Sequence, residues 1–172
     1  NGRYMPRRNF ALLFIIALLL ASAATFAVFT YVARTGKAQR REVSRANLIK
    51  MHEALQAYAR ENGRFPDDLS ALQPRFLQAE DVIHPAWPER PGYMYVAGVQ
   101  SVDPPESVLV FENLPERKVK LGRLAVTLQG QAQELNEADF QQRLSAQELR
   151  YKEKKRAWTL RPSEALPSVI PR

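Results

Sequence analysis

The longest uninterrupted apolar stretch of the chain lies near its beginning, at residues 10–33 (FALLFIIALLLASAATFAVFTYVA). These 24 positions contain no charged side chain. As a helix they would extend about 36 Å, which exceeds the roughly 30 Å hydrocarbon core of a bilayer. Ser22, Thr25 and Thr30 interrupt the pattern, but each can donate a hydrogen bond to a carbonyl of its own helix. The pattern therefore predicts a transmembrane helix that ends before Arg34.

The beginning of this stretch also has the features of a secretory signal peptide. A basic segment precedes it, residues 10–20 would be the apolar core, and Ala21-Ser22-Ala23 fits a cleavage site. We expect instead that the stretch is retained as an anchor, with residues 1–9 as a short cytoplasmic N-terminus.

Beyond the span, hydrophobic positions recur largely at helical spacings of three and four. They include Val43, Leu48, Met51, Leu55 and Tyr58. Such spacing is typical of the apolar face of an amphipathic helix. Asn62-Gly63 supplies a stop, because glycine readily adopts the left-handed conformation that ends helices. The pattern predicts that the transmembrane helix continues as an amphipathic helix over residues 36–62.

Short runs of β-forming residues follow, separated by Gly, Pro and Asp. They occupy residues 93–97, 108–111, 124–128 and 132–135. The second run, VLVF, is continuously apolar, as expected of a central strand, and Gln129-Gly130 is suited to a hairpin turn. Residues 82–92 contain three prolines, so we predict a loop there.

A second helix is predicted after the last strand. Asn136 is a suitable N-cap residue, and Asp139 follows at the capping-box spacing. The helix would run to about Ala157. Its apolar positions include Phe140, Leu144 and Leu149.

The tail that follows, residues 159–172, is rich in proline. Pro162, Pro167 and Pro171 interrupt it, and because a proline cannot continue a helix or donate a backbone hydrogen bond, we expect the tail to be mobile. Together these patterns predict an α+β fold. An N-terminal transmembrane helix (residues 10–33) continues into an amphipathic helix packed on a small antiparallel sheet, with a C-terminal helix and a Pro-rich tail. The globular domain would occupy residues 34–158.

Few residues are available for chemistry. The chain has no cysteine and two histidines, which excludes a disulfide scaffold, a thiolate metal site and a cysteine nucleophile. His52 falls on a predicted helix and His84 in a proline-rich loop, so we expect neither to be oriented by a carboxylate for catalysis. Asp103 and Glu106 flank two prolines, which we interpret as a turn with solvated acids. The sequence predicts no catalytic residue, no cofactor site and no metal site, and so a protein that is not an enzyme.

The net charge of +7 would indicate an anionic partner only if the basic residues were clustered. Residues 34–172 hold 22 Lys and Arg against all 18 acids, and the densest basic patch is residues 150–156 (RYKEKKR). We interpret this patch as a solvated helix surface, and we expect neither nucleic acid nor a small-molecule substrate as a partner. An alternative is a membrane-tethered protein that binds an acidic ligand through this patch.

Several short motifs resemble those of the pseudopilins of type II secretion and type IV pilus systems. Residues 58–69 (YARENGRFPDDL) are similar to the family's tyrosine, Asn-Gly, aromatic-Pro and leucine signature at the end of the long helix. Residues 109–112 and 124–130 resemble the later strands of pilin-like proteins, and Phe140 and Leu144 resemble the helix that follows them. The resemblance implies the pseudopilin fold, with a short cytoplasmic N-terminus and the globular domain in the periplasm.

Three positions depart from that family. Pseudopilin precursors carry Gly before the cleavage point and Glu at the fifth mature position, where this chain has Asn9 and Phe14. Carboxylates of the late loops are implicated in calcium binding in the major pseudopilin, but Gln129 stands in place of the Asp of the Asp-Gly turn, and a neutral amide is a poorer ligand for a hard cation. We therefore do not expect a processed, fibre-forming subunit.

The basic residues around the span favour the opposite orientation. Three arginines precede it, and the basic residues that follow it closely are Arg34, Lys37, Arg40, Arg41 and Arg45. A simple count would place the larger part of the chain in the cytoplasm. We give the resemblance more weight and predict a single-pass protein of the bacterial inner membrane with a periplasmic domain.

These features predict a non-catalytic, single-span accessory subunit that docks on and stabilises a larger bacterial inner-membrane complex, with respiratory and photosynthetic assemblies as hosts to consider. Its partners would be the other subunits of that complex and the lipid bilayer. Small residues let helices approach closely. The residues expected at the interface are Ala21, Ser22, Ala23, Ala24, Pro162 and Pro167. The alternative is a minor pseudopilin or pilus-assembly component.

Overall fold

The apolar stretch at the beginning of the chain is helical, and the helix continues well beyond it. The computed structural model has a helix, α1, over Arg7–Asn62. α1 contributes to two units, Asn1–Arg41 and Glu42–Arg172. The structure describes residues 7–115 and 122–163, with the backbone alone at residues 7–15, 33 and 34.

In the first unit, α1 is long and apolar enough to cross a membrane. The hydroxyl groups within the apolar stretch bond back to its own carbonyls, as predicted. Ser22 Oγ donates to Leu18 O, and Thr25 Oγ1 donates to Ala21 O at 2.8 Å. Thr30 makes the same kind of bond three residues back. These hydroxyls are therefore satisfied without water, which suits a helix in hydrocarbon.

The second unit contains two antiparallel sheets and a second helix. A small sheet pairs β1 (Ile83–His84) with β2 (Trp87–Pro91). A five-stranded sheet has the order β6-β5-β4-β3-β7. Its strands are β3 (Tyr93–Ala97), β4 (Val108–Glu112), β5 (Arg123–Thr127), β6 (Ala132–Leu135) and β7 (Thr159–Pro162). The helix α2 covers Glu137–Glu153, and 3₁₀ turns form at Leu69–Leu72 and Ala79–Val82.

The part of α1 in the second unit and α2 cover opposite faces of the five-stranded sheet. Tyr93 Oη on β3 donates to Ser44 Oγ on α1, and Tyr93 pairs across the ladder with Glu112. The neighbouring residue, Phe111, packs its ring 4.8 Å from the ring of Phe140 on α2. Because successive side chains of a strand point to opposite faces, β4 is buried on both. This burial explains its continuous apolar sequence.

α1 ends where the Asn62-Gly63 pair predicts. Asn62 Nδ2 donates to the carbonyl of Tyr58 at 2.9 Å, and Gly63 has a φ of +74°. Tyr95 Oη then donates to the carbonyl of Pro66 at 2.9 Å. The end of the helix is thereby attached to the sheet.

The predicted loop at residues 82–92 is only partly a loop. β1 and β2 form within it, joined by a tight turn in which Ala86 N donates to His84 Nδ1. Pro85 lies in that turn and Pro91 ends β2, where a missing amide hydrogen costs little. Pro85 and Pro91 therefore lie at the ends of short strands and do not exclude them.

The prediction of a mobile tail from residue 159 is wrong for its first residues. α2 ends at Glu153, short of the expected Ala157, and Thr159–Pro162 forms β7 at the edge of the sheet beside β3. Proline is tolerated on an edge strand because such a strand pairs with a neighbour on one side only, so its other side needs no backbone N–H donor. The sheet thus extends beyond the predicted domain end at residue 158, and a strand follows the helix that we expected to be C-terminal. Pro167 lies outside the described residues.

Candidate interaction surfaces and buried polar clusters

The apolar part of α1 presents large hydrophobic side chains to its surroundings. Their exposed fractions range from 44 to 71 %. They are Ile16, Leu18, Leu19, Leu20, Phe26, Val28, Phe29, Tyr31 and Val32. An apolar surface this continuous is unfavourable in water. It is compatible with a helix that spans a membrane.

The small residues predicted at the interface do not share one face of that helix. Successive residues of an α-helix are rotated by about 100°, so Ala21 and Ala24 lie on one side and Ala23 on the other. Ser22 bonds back to its own helix. A shallow groove continues from Ala24 along Thr25, Val28, Phe29 and Val32. The face marked by Ala21 and Ala24 is therefore the one that could receive a neighbouring helix. Of the two tail prolines, Pro162 is half-buried in β7.

A buried polar cluster lies between α1, the small sheet and the five-stranded sheet. Ser44 Oγ donates to Glu112 Oε1 at 2.6 Å, and His84 Nε2 lies 3.3 Å from the same oxygen. The second oxygen of Glu112 accepts a 2.9 Å hydrogen bond from Leu124 N. Sequence reasoning missed this pairing of His84 with a carboxylate, because 28 residues separate them and only the fold brings them together.

The geometry of this cluster fixes the roles of its members. Because His84 Nδ1 accepts from Ala86 N at 3.1 Å, the remaining proton of a neutral ring is on Nε2, which donates to Glu112. Ser44 bonds to Glu112 and not to His84, so the histidine is not placed to remove the serine proton, as a Ser-His nucleophile requires. Burial alone would raise the pKa of Glu112, but hydrogen bonds from His84, Ser44 and Leu124 outweigh it and lower that pKa below its usual value.

Aromatic side chains enclose the cluster. The Trp87 ring stacks on His84 with centroids 4.4 Å apart, and Tyr93 is fully buried beside it. Burial raises the pKa of Tyr93 to about 12, against a smaller opposing effect of the Ser44 hydrogen bond. The cluster joins β1 to α1 and β4.

A second cluster is centred on Asp103. Its carboxylate accepts from Arg156 Nη1 at 2.6 Å, from Tyr151 Oη at 2.7 Å and from Gln100 N at 2.8 Å. Burial would raise the pKa of Asp103, but these donors lower it overall. The interpretation of Asp103 as a solvated acid is therefore wrong, because the side chain is 8 % exposed. Glu106 fits that interpretation better, since it is exposed and pairs with Arg150 at 3.5 Å.

The basic segment at residues 150–156 is largely occupied by partners within the domain. Besides the contacts of Arg150, Tyr151 and Arg156 given above, Lys152 Nζ lies 2.8 Å from Glu148. Arg156 also donates to the carbonyl of Gly98. Much of this positive charge is thus compensated locally.

Two further residues stabilise the domain. His52 Nε2 lies 3.0 Å from the carbonyl of Leu128, so it attaches α1 to the β5–β6 turn. Arg123 is 8 % exposed on β5, pairs with Glu137 at 3.1 Å and stacks its guanidinium 4.4 Å from the Phe140 ring centroid. Sequence reasoning missed Arg123, since an arginine at a strand end is ordinarily exposed.

No group of three or more His, Asp or Glu side chains is placed to hold a metal ion among the described residues. No protein-family model, curated protein or solved structure matches the chain.

Proposed function

We propose that this chain is a non-catalytic, single-span accessory subunit that docks on and stabilises a larger bacterial inner-membrane complex, with its globular domain in the periplasm. The observation that carries the proposal is the apolar surface of α1. No part of its most apolar window is buried within the chain. A bilayer would cover most of this surface, and a neighbouring helix could cover the face with Ala21 and Ala24.

The construction of the second unit supports a docking role. In its two buried clusters, polar groups are directed at one another, as Glu112 is at Ser44 and His84, and Asp103 is at Tyr151 and Arg156. Such fully bonded interior networks make a domain rigid. A rigid domain loses little conformational entropy when it binds a partner.

The test is purification of the tagged full chain from its native membrane in mild detergent, with mass spectrometry of the bound proteins and of the chain's own N-terminus. We expect one membrane complex at constant stoichiometry, with the residues before Phe10 intact. The variant Ala21→Leu/Ala24→Leu should lose the complex, because larger side chains prevent close approach of helices.

The matched control is Ala23→Leu/Thr30→Leu. It adds a similar volume to the same span, but on the side of the helix away from Ala21 and Ala24, since these positions are rotated by about 200° and 180° from Ala21 and by about 100° and 120° from Ala24. This variant should keep the complex. Equal loss in both variants would contradict a specific helix interface, and a chain that purifies alone would contradict the accessory role.

The second candidate is a minor pseudopilin or pilus-assembly component, and the end of α1 favours it. Residues 58–69, which resemble the pseudopilin signature, end α1 and attach its end to the core. Gly63 ends the helix in the left-handed conformation, and Phe65 and Leu69 are buried in the same core as Tyr95. Purification of secretion components, together with a mature N-terminus at Phe10, would support this candidate against the first.

A further inference from the structure

The net positive charge of the chain is confined to its first unit. Residues 1–41 carry seven Lys and Arg and no acid, because the first carboxylate of the chain is Glu42. Residues 42–172 carry eighteen basic and eighteen acidic residues. The whole net charge of +7 therefore lies beside the apolar part of α1, and the second unit is formally neutral.

Four of these charges follow the span within two helical turns. They are Arg34, Lys37, Arg40 and Arg41, and we call residues 34–41 the basic collar. Lys37 and Arg40 are exposed, and in the part of the chain that the structure describes neither has an ion pair. The two residues are three positions apart, so they lie on the same side of the helix.

Basic residues of the second unit are arranged differently. Several have a carboxylate within 3.5 Å. The pairs are Lys50–Asp81, Arg75–Glu61, Arg123–Glu137, Arg150–Glu106 and Arg156–Asp103. Lys37 and Arg40 thus differ from these residues because, among the described residues, they have no carboxylate partner with which an external anion would compete.

The helix sets the depth of the collar relative to the bilayer. With a rise of 1.5 Å per residue, Lys37 is about 6 Å and Arg40 about 10 Å beyond Ala33, the last residue of the uncharged stretch. The headgroup layer is roughly 5–8 Å thick on each side of the hydrocarbon core. Side chains of a helix also lean towards its N-terminus, which for these residues is the direction of the membrane. Long basic side chains at this depth reach the lipid phosphates.

We propose that the basic collar binds the anionic headgroups of the phospholipids around the span, with Lys37 and Arg40 as its principal contacts. The proposal depends on insertion of the span and not on any protein partner. Juxtamembrane basic residues gain electrostatic energy from an anionic leaflet, and the gain falls off within a Debye length. The collar would fix the depth of α1 and give the chain a preference for acidic lipids.

The test uses the full chain reconstituted in phosphatidylcholine bilayers that contain spin-labelled phosphatidylglycerol or spin-labelled phosphatidylcholine. Electron paramagnetic resonance measures the fraction of each lipid held at the protein and thus their relative association constants. We expect phosphatidylglycerol to be favoured at low salt. Lys37→Gln/Arg40→Gln should reduce that preference by roughly fivefold per charge removed, and 1 M NaCl should largely abolish it.

The matched control is Arg60→Gln/Arg64→Gln, which removes two exposed charges near the other end of α1. It should leave the lipid preference unchanged, and circular dichroism should show equal helix content in all variants. An equal loss in both variants, or no preference in the parent chain, would overturn the proposal. Competition by soluble glycerol phosphate at constant ionic strength would also overturn it, in favour of a site for free phosphate. Because no other protein is present, failure to purify a host complex would leave this result unaffected.

Discussion

At the scale of single residues, two glycines show how the same backbone conformation is used in different surroundings. Gly63 and Gly130 both have positive φ, +74° and +87°. A Cβ on Gly63 would meet no atom within 4 Å, whereas a Cβ on Gly130 would lie 2.7 Å from Cε1 of His52. His52 is held in place by the carbonyl of Leu128. Gly130 therefore serves both the hairpin turn and the contact with α1.

We expect Gly130→Ala to destabilise the domain more than Gly63→Ala. Gly63→Ala should lower the free energy of unfolding by about 1–2 kcal/mol, because alanine is strained in the left-handed conformation. Gly130→Ala has the same strain and adds a steric conflict with His52. Urea unfolding in detergent, followed by near-ultraviolet circular dichroism, measures both. In a His52→Ala background the extra cost of Gly130→Ala should disappear, and a cost that persists would show that His52 is not its cause.

The acceptor role of Glu112 leads to a second prediction. Its carboxylate accepts from Ser44, His84 and Leu124 N, so Glu112→Gln would place an amide donor opposite another donor. We expect a loss of about 1–3 kcal/mol in the free energy of unfolding. Glu61→Gln removes an exposed ion pair with Arg75 and should cost no more than about 1 kcal/mol. Equal costs would contradict a special role for the buried cluster.

The same carboxylates predict how stability depends on pH. The folded state lowers the pKa of Glu112 below 4.5 and that of Asp103 below 3.8. Both ionised groups therefore stabilise the fold above these values, and this contribution is lost as the pH falls through the folded pKa. The urea midpoint should decline below about pH 4.5, and the decline should be shallower in Glu112→Gln. If the urea midpoint declined as steeply in Glu112→Gln as in the parent chain, other groups would be the cause of the decline.

His84 illustrates what a sequence can and cannot indicate at this scale. The end of α1 could be predicted at Asn62-Gly63 because capping depends on adjacent residues. The partners of His84 and Asp103 could not, because Glu112 and Arg156 are 28 and 53 residues away. Local patterns carry no information on such pairings, so Asp103, which we interpreted as solvated, is an interior hydrogen-bond acceptor.

At the scale of elements, a side chain of α2 replaces the pairing that β4 lacks at Val108, beyond the end of its ladder with β3. The β3–β4 ladder reaches only from Glu112 to Val110, and the β4–β5 register shifts between Val108 and Val110. Gln147 of α2 takes the place of a strand there. Its Oε1 accepts from Val108 N at 2.8 Å, and its Nε2 donates to Val108 O at 3.0 Å.

We expect Gln147→Leu to destabilise the domain by roughly 2–4 kcal/mol, because two buried backbone groups would lose their partners. Gln142→Leu makes the same chemical change at an exposed position of α2 and should alter stability by less than about 0.5 kcal/mol. Urea unfolding of both variants is the measurement. A similar small effect at both positions would show that water replaces the Gln147 amide.

The element scale also explains which strands the sequence predicted. β4 could be identified because burial on both faces requires a continuous apolar run. β7 could not, because its sequence, TLRP, is short, polar and ends in proline. An edge strand needs only one neighbour, here β3, so tertiary pairing outweighs weak local propensity.

At the scale of the whole molecule, the two units differ in both charge and polarity. The continuous exposed apolar surface and the net positive charge are in the first unit. The hydrophobic core lies in the second unit and begins at Leu48. The second unit should therefore fold without the first, since removing residues 1–41 takes away no core residue. Its formal charge of zero also follows from the sequence.

The second unit has its own core and no net charge, so it should fold alone and should not bind an anionic membrane. Residues 42–172 produced alone should unfold cooperatively, with the near-ultraviolet circular dichroism of the full chain, and should not sediment with phosphatidylglycerol vesicles at low salt. A domain with no net charge has little net attraction for an anionic surface. Phosphatidylcholine vesicles are the control for nonspecific adsorption. Salt-sensitive binding that persists in this fragment, and is lost in Lys152→Gln/Lys154→Gln, would instead assign the anion binding to residues 150–156 and favour a tethered receptor for an acidic ligand.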